Sequence, residues 1–145
     1  MRKEQLIRIC LAMLLASTTL LLTSCKKDPK DKDPKEALVN TRWKTDLNIP
    51  GLDIDEKDRD ISGELFFKSQ TEGELTMAAE GLKYTVPVYY SYDATQKAYT
   101  ATITIENDTK NFIMKVNWDT NILLLYELKD GVALPKPMMG FKLVK

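Results

Sequence analysis

The chain has no histidine, and its two cysteines, Cys10 and Cys25, both lie close to the amino terminus. Histidine is the commonest general base and metal ligand, and a cysteine thiolate is the commonest strong nucleophile. Residues 37–145 therefore have no thiol, disulfide or thiolate metal site, and catalysis there would depend on Asp, Glu, Lys, Ser or Tyr alone. We accordingly expect no enzymatic activity, no cofactor and no metal site.

The chain also lacks an excess of basic residues. Lys+Arg and Asp+Glu number 21 each over the whole sequence, and residues 37–145 contain 13 basic and 16 acidic residues. Nucleic-acid-binding domains have a basic face that neutralises phosphates. Nucleic acid is therefore not an expected partner.

The amino terminus has the pattern of a secretory signal peptide. Arg2, Lys3 and Arg8 form a basic leader, and residues 9–22 are uncharged and rich in Leu, Ile, Ala and Met. A transmembrane helix is the alternative, but it needs about 20 apolar residues, and this run is shorter. A basic leader followed by a short apolar segment predicts a signal peptide over residues 1–24.

The signal peptide ends in Leu22-Thr23-Ser24-Cys25, which resembles the lipobox of bacterial lipoproteins. The resemblance implies cleavage between Ser24 and Cys25, a diacylglyceryl group on Cys25 and an acyl chain such as palmitate on the new amino terminus. Two or more acyl chains form a lasting membrane anchor. The alternative is an ordinary signal peptide with an unmodified cysteine.

Residues 25–36 form the next segment, which has two prolines, alternating charges and no large apolar side chain. Such a segment cannot bury enough surface to offset the entropy of ordering, so we predict a lipidated cysteine followed by a disordered tether. A charged stretch directly after the cysteine is similar to lipoproteins of the Bacteroidetes. The resemblance implies the outer membrane, on its periplasmic face or at the cell surface, whereas a simple spacer is the alternative.

Residues 37–145 have the length of one domain, and their apolar residues recur with the period of β-strands. The intervening segments are short and contain Asn, Asp and Gly, which favours antiparallel hairpins. We predict an all-β, up-and-down meander of about eight strands that closes into a barrel. Pro87 removes one donor from a sheet ladder, which leaves an open barrel or a two-sheet sandwich as alternatives. The predicted strands lie within residues 39–45, 61–67, 75–79, 84–92, 99–105, 112–118, 122–126 and 139–143.

Two stretches, residues 40–44 (Asn-Thr-Arg-Trp-Lys) and 139–143 (Met-Gly-Phe-Lys-Leu), resemble the first and last strands of small lipocalin-like lipoprotein domains. The resemblance implies a lipocalin-like barrel that binds a small apolar ligand, with a Trp that plugs one end. Trp43, Trp118, Tyr90 and Tyr92 are the candidate ligand contacts or barrel plugs.

Two further features predict alternatives to ligand binding. Asp53 to Asp60 form an acidic loop that could bind Ca²⁺, but Lys57 takes a ligand position, so a solvated loop is the preferred interpretation. Apolar residues at nominally outward positions predict either a docking surface or a covering segment; they are Phe66, Ile113, Leu123 and Leu125. The competing function is therefore a non-catalytic module that docks a protein of the cell envelope or the exterior.

Overall fold

The computed structural model describes residues 28–145, apart from the side chain of Asp58. Residues 28–32 hold one 3₁₀ turn, Pro29–Asp31, and belong to a unit separate from Asp33–Lys145. Within residues 28–145 no helix is both long enough and apolar enough to span a membrane. The predicted signal peptide, the predicted cleavage site at Ser24 and the predicted lipidation site Cys25 lie outside the described residues.

The unit Asp33–Lys145 contains one short helix, one 3₁₀ turn and nine strands. They are α1 (Pro34–Ala37), β1 (Arg42–Thr45), the 3₁₀ turn (Glu56–Asp58), β2 (Ser62–Phe67), β3 (Glu72–Ala79), β4 (Leu82–Asp93), β5 (Ala98–Ile105), β6 (Asp108–Asn117), β7 (Ile122–Lys129), β8 (Val132–Ala133) and β9 (Met139–Leu143). The unit begins at Asp33, whereas charge composition placed the boundary between Glu36 and Ala37. Asp33 accepts a hydrogen bond from the Lys35 N–H and so caps α1.

The strands close into an eight-stranded antiparallel barrel of the lipocalin-like kind. Strands β1 to β7 pair in chain order, β9 lies between β7 and β1, and every pairing is antiparallel. The predicted all-β meander is confirmed. The alternatives of an open barrel and a two-sheet sandwich are wrong, because the pairings around β9 complete the ring and leave no whole strand at an edge.

The ninth strand is the beginning of the last barrel strand. Strand β8 pairs with the end of β7 (Leu128 opposite Ala133), and β9 resumes pairing with β7 at Leu125 opposite Met139. Pro135 and Pro137 lie in the interval between them. Proline lacks the N–H that a ladder needs, so the strand bulges there and is divided in two.

The barrel interior is filled with apolar side chains. Trp43, Phe67 and Phe141 are fully buried, and they belong to one cluster that includes Leu123 and Leu125. The prediction that Leu123 and Leu125 point outward is therefore wrong. Their strand, β7, is apolar on both faces, so its sequence alternation could not assign the inner one.

The remaining two residues of that predicted outward patch are covered. Ile113 lies on the outer face between Thr100 and Tyr126, yet it is almost fully buried. Phe66 is half-buried, and the guanidinium of Arg42 lies 4.0 Å from its ring centroid. An exposed outer patch at these positions is therefore not formed.

The outer face of the β7–β9 pair is covered by the loop that joins β1 to β2. A Cβ added at Gly140 would lie 2.6 Å from Cδ1 of Ile49, 3.3 Å from Leu52 and 3.4 Å from Leu124. Glycine at this position therefore lets the loop pack directly on the sheet, and Ile49 is buried there. The covering segment predicted as one alternative for the apolar outer face exists at this place.

Candidate functional site

One end of the barrel is closed by the chain that precedes β1. Leu38, which directly follows α1, is completely buried in the core. The hydroxyl of Tyr99 donates a hydrogen bond of 2.6 Å to the carbonyl oxygen of Pro34. Trp43 Nε1–H donates to the Thr41 hydroxyl, which in turn donates to the Leu38 carbonyl. These bonds join α1 and Leu38 to the barrel wall, and we call this the closed end.

The four predicted ligand contacts or plugs all lie at the closed end. Trp43 contacts Trp118, with their ring centroids 5.6 Å apart, and Tyr90 and Tyr92 lie 6.0 Å and 5.2 Å from Tyr99. Such tilted and edge-to-face pairs contribute packing energy beyond their buried area. These aromatic residues form part of the barrel packing.

Two of these tyrosines have perturbed ionisation. Burial raises the pKa of Tyr90 to about 12, and its hydroxyl donates to the Ser69 carbonyl. Burial raises the pKa of Tyr99 further, and the nearby Tyr90, Tyr92 and Asp33 raise it as well. Desolvation favours the neutral phenol. Both hydroxyls therefore act as structural hydrogen-bond donors at neutral pH.

The opposite end of the barrel is open and contains an apolar pocket of about 170 Å³. It is lined by Thr45, Leu47, Ile54, Ile61, Met77, Met138, Met139 and Gly140. None of the four predicted ligand contacts lines this pocket. Its volume is below the roughly 300–1,000 Å³ of ordinary ligand sites and close to the roughly 150 Å³ of a cavity that holds benzene. The pocket can therefore accept one ring or one large apolar side chain.

The β1–β2 loop forms one wall of this pocket. Ile49 fixes the loop on Gly140, and Leu47 and Ile54 of the same loop line the pocket. Asp53 forms an exposed salt bridge of 3.2 Å with Lys136, and such exposed pairs contribute about 0–1 kcal/mol. Among the side chains that the structure describes, no group of three acidic residues converges as a metal site would require.

Exposed apolar side chains are concentrated at the open end. Two of the exposed large apolar residues, Tyr89 and Val144, lie elsewhere on the barrel. The others surround the open end and are Leu47, Leu82, Tyr84, Ile105, Val132, Leu134 and Met138. We call these seven residues the apolar rim. A concentration of exposed apolar side chains at one place is typical of an interaction surface.

The two ends of the barrel also differ in charge. The connections at the open end, residues 46–61, 80–81, 106–107, 130–131 and 134–138, contain nine acidic and three basic residues. The segments at the closed end, residues 33–41, 68–71, 94–97, 118–121 and 144–145, contain three acidic and four basic residues. The connections at the open end therefore have a net charge of −6, whereas the segments at the closed end have a net charge of +1.

Comparison of the chain with models of known protein families, with curated proteins and with solved structures finds no match. The candidate site is therefore defined by its geometry. Sequence reasoning missed the apolar rim, because Leu82 falls in a turn before the predicted strand 84–92, and Tyr84 continues the apolar face of that strand. The available signal was length, since the predicted strand 84–92 is longer than the next predicted strand, 99–105.

Proposed function

We propose that this protein is a lipid-anchored lipoprotein whose barrel is a non-catalytic interaction module, with the open end as its binding surface. The apolar rim is the observation that supports this function best. The side chains of the barrel fill its interior, so the structure supports a partner at the open end better than a ligand on the barrel wall or in a deep cavity. The expected partner is a protein of the cell envelope or the exterior.

The proposed anchor is supported by the amino-terminal sequence. The uncharged segment 9–22 and the lipobox-like Leu22 to Cys25 support acylation at Cys25 and attachment to the outer membrane, on its periplasmic face or at the cell surface. The chain enters the barrel through α1, at the closed end. The tether is therefore joined to the barrel at the end opposite the apolar rim.

The absence of catalysis rests on the kinds of side chain at the open end. The pocket is lined by apolar residues and one threonine. The two groups with raised pKa values, Tyr90 and Tyr99, belong to the closed end, and neither lines the pocket. Enzymes place perturbed acids or bases beside the cavity that binds the substrate. An interaction module therefore fits these residues better than an enzyme.

Site-specific photo-crosslinking in living cells tests the proposed surface. A photoreactive amino acid would replace Leu82 or Val132 of the apolar rim, and Tyr89 or Val144 as exposed apolar controls away from it. We expect a discrete protein adduct from the two rim positions and none from the controls. Equal adducts from rim and control positions, or none from the rim, would refute the proposal.

Binding of a small apolar ligand is the second candidate, favoured by the pocket at the open end. Its volume limits the ligand to about the size of one aromatic ring. Native mass spectrometry of the protein should then show an added mass that is lost on denaturation. Ile61→Phe fills the pocket and should abolish the added mass, whereas Tyr89→Phe should leave it unchanged. A clean apo mass, both as purified and after exposure to compounds with a single aromatic ring, would exclude this function.

A further inference from the structure

Strand β4 has an uncovered edge at the open end. It pairs with β3 along its length from Leu82 to Tyr89, but it pairs with β5 only from Val88 onward. Within the described chain, residues 82–87 of β4 therefore have a paired strand on one side only. The β3–β4 hairpin extends as an arm beyond the shorter β5–β6 hairpin, and Glu80 and Gly81, both at positive φ, form its two-residue turn.

The direction of the backbone groups on this edge follows from one hydrogen bond. Tyr90 N–H donates to the carbonyl of Thr71, which continues β3. Backbone groups of successive strand residues point to alternate sides, and the β3–β4 register has no bulge. Even-numbered residues of β4 therefore face β3. The N–H and C=O groups of Lys83 and Thr85 face the uncovered side.

Pro87 explains why the β4–β5 ladder stops. The backbone groups of this odd-numbered residue point toward β5. The next hydrogen bond of the β4–β5 ladder would need the N–H of residue 87, and proline has none. Pairing accordingly begins at the following residue, Val88 opposite Ile103. The register places Ile105, the last residue of β5, opposite Val86, so residues 82–85 extend beyond the end of β5 and their edge is left uncovered. At about 3.3 Å per residue, this edge is long enough to pair with about four residues of a bound strand.

The arm also exposes an apolar face. Leu82 and Tyr84 are 72% and 44% exposed, and they lie on the side of β4 that faces the barrel interior farther along the strand. The Tyr84 hydroxyl donates to the Met77 sulfur at 3.7 Å, and Met77 lines the apolar pocket. The edge, the apolar face and the pocket are therefore continuous. An exposed strand edge of this kind is a template for another strand.

We infer that the uncovered edge of β4 binds an extended segment of the partner protein by strand addition. The segment would bond its backbone to Lys83 and Thr85 and place alternate apolar side chains beside Leu82 and Tyr84. Because the connections at the open end have an acidic excess, we expect basic residues to flank the bound segment. This inference rests on the proposed function and names the class of partner.

A second copy of the chain fits this edge less well. If two copies paired along this edge, the acidic connections of their open ends would lie close together. Like charges in an interface oppose association. An extended basic segment removes this repulsion. Association of two copies is an outcome that the test below distinguishes.

Peptide binding to the full-length protein in a mild detergent tests strand addition. The probe is a fluorescent peptide of about seven residues, Lys-Val-Thr-Val-Thr-Val-Lys, and the control peptide has proline at the two threonines. Thr85→Pro removes an N–H on the uncovered edge, and Thr85→Ala removes the same side chain but keeps the N–H. We expect Thr85→Pro to weaken binding about tenfold, from the lost hydrogen bond and the added ring, and Thr85→Ala to change it less than about twofold.

Amide exchange gives a second measurement. The amides of Lys83 and Thr85 should exchange rapidly in the free protein and slowly in the complex, whereas that of Tyr84, bonded to β3, should be slow in both. Circular dichroism and the thermal midpoint show whether each variant is folded. Lys83→Pro with its control Lys83→Ala repeats the test if Thr85→Pro is unfolded.

Three outcomes would overturn the inference. They are no binding of the probe to the wild-type protein, equal binding by the proline and alanine variants, and protection of the Lys83 and Thr85 amides by self-association without peptide. If the rim crosslinks persist in any of these cases, the interaction module stands and only strand addition is wrong. If the rim crosslinks are also absent, the proposed function itself is wrong.

Discussion

Leu38→Ala tests whether the segment before β1 is a structural plug of the barrel. Leu38 is 0% exposed and belongs to the core cluster that contains Trp43 and Phe67. Replacement by alanine removes buried methyl groups and leaves a cavity at the closed end. Substitutions of this kind cost about 3–5 kcal/mol where the surroundings cannot collapse, and the rigid aromatic neighbours here favour that range.

This cost is a large part of the stability of the domain. At about 0.05–0.15 kcal/mol per residue, a domain of about 110 residues has a free energy of unfolding of roughly 6–17 kcal/mol. At about 4 °C per kcal/mol for this size, Leu38→Ala should lower the thermal midpoint by about 10–20 °C. The variant should still fold, because the ring of strands is unchanged.

Urea unfolding of the two matched variants Leu38→Ala and Leu82→Ala measures the effect. Both remove the same atoms, but Leu82 is 72% exposed, so its replacement should change the free energy of unfolding by less than about 0.5 kcal/mol. An equal cost for the two variants would refute the structural role of Leu38. The segment before β1 would then belong to the tether, and both ends of the barrel would be open.

Three other predictions concern pH, the covering loop and the anchor. The pKa of Tyr90 is raised from 10.0 to about 12, so the stability that the neutral phenol contributes is complete below pH 10 and is lost as the pH rises from about 10 to 12. The urea midpoint of unfolding should therefore fall across this range, and it should fall less steeply in Tyr90→Phe. Equal slopes for the two proteins would contradict the raised pKa of Tyr90. Gly140→Val should displace Ile49, whose Cδ1 lies 2.6 Å from the added Cβ, and release the loop 46–61. Limited trypsin digestion should then cleave this loop faster, and Lys142→Val, at an exposed position of the same strand, is the control. Cys25→Ser should abolish labelling by radioactive palmitate and release the protein from the membrane fraction, and labelling that persists would exclude lipidation at this residue.

The strand content of the domain could be predicted because its signals are local. Alternation places Tyr99, Ala101 and Ile103 on one face of β5, and all three are buried. Short turns between such stretches permit only antiparallel hairpins, so the chain order of the strands became their order in the sheet. The lipobox-like Leu22 to Cys25 is equally local, and its consequence stays a prediction.

Other features depended on which distant residues meet. Leu123 and Leu125 could not be assigned to the inner face from a strand that is apolar on both sides, and only the register with Phe141 and Met139 decides it. The sequence around Gly140 did not indicate that a loop packs over this residue. Ile49 is distant from Gly140 in the sequence and approaches it only when the barrel is folded.

The open end shows the same division between sequence and structure. Pro87 alone indicated that a ladder would be interrupted, since the missing N–H is a property of the residue itself. Which ladder it interrupts depends on the side of β4 that faces β5, and this is a property of the closed ring. The sequence thus determined that the domain is a meander of antiparallel hairpins, and the pairings of β9 decided that this meander closes into a barrel. The tertiary structure decided which end is filled by Leu38 and which end exposes an apolar rim, because burial depends on contacts between residues far apart in the chain.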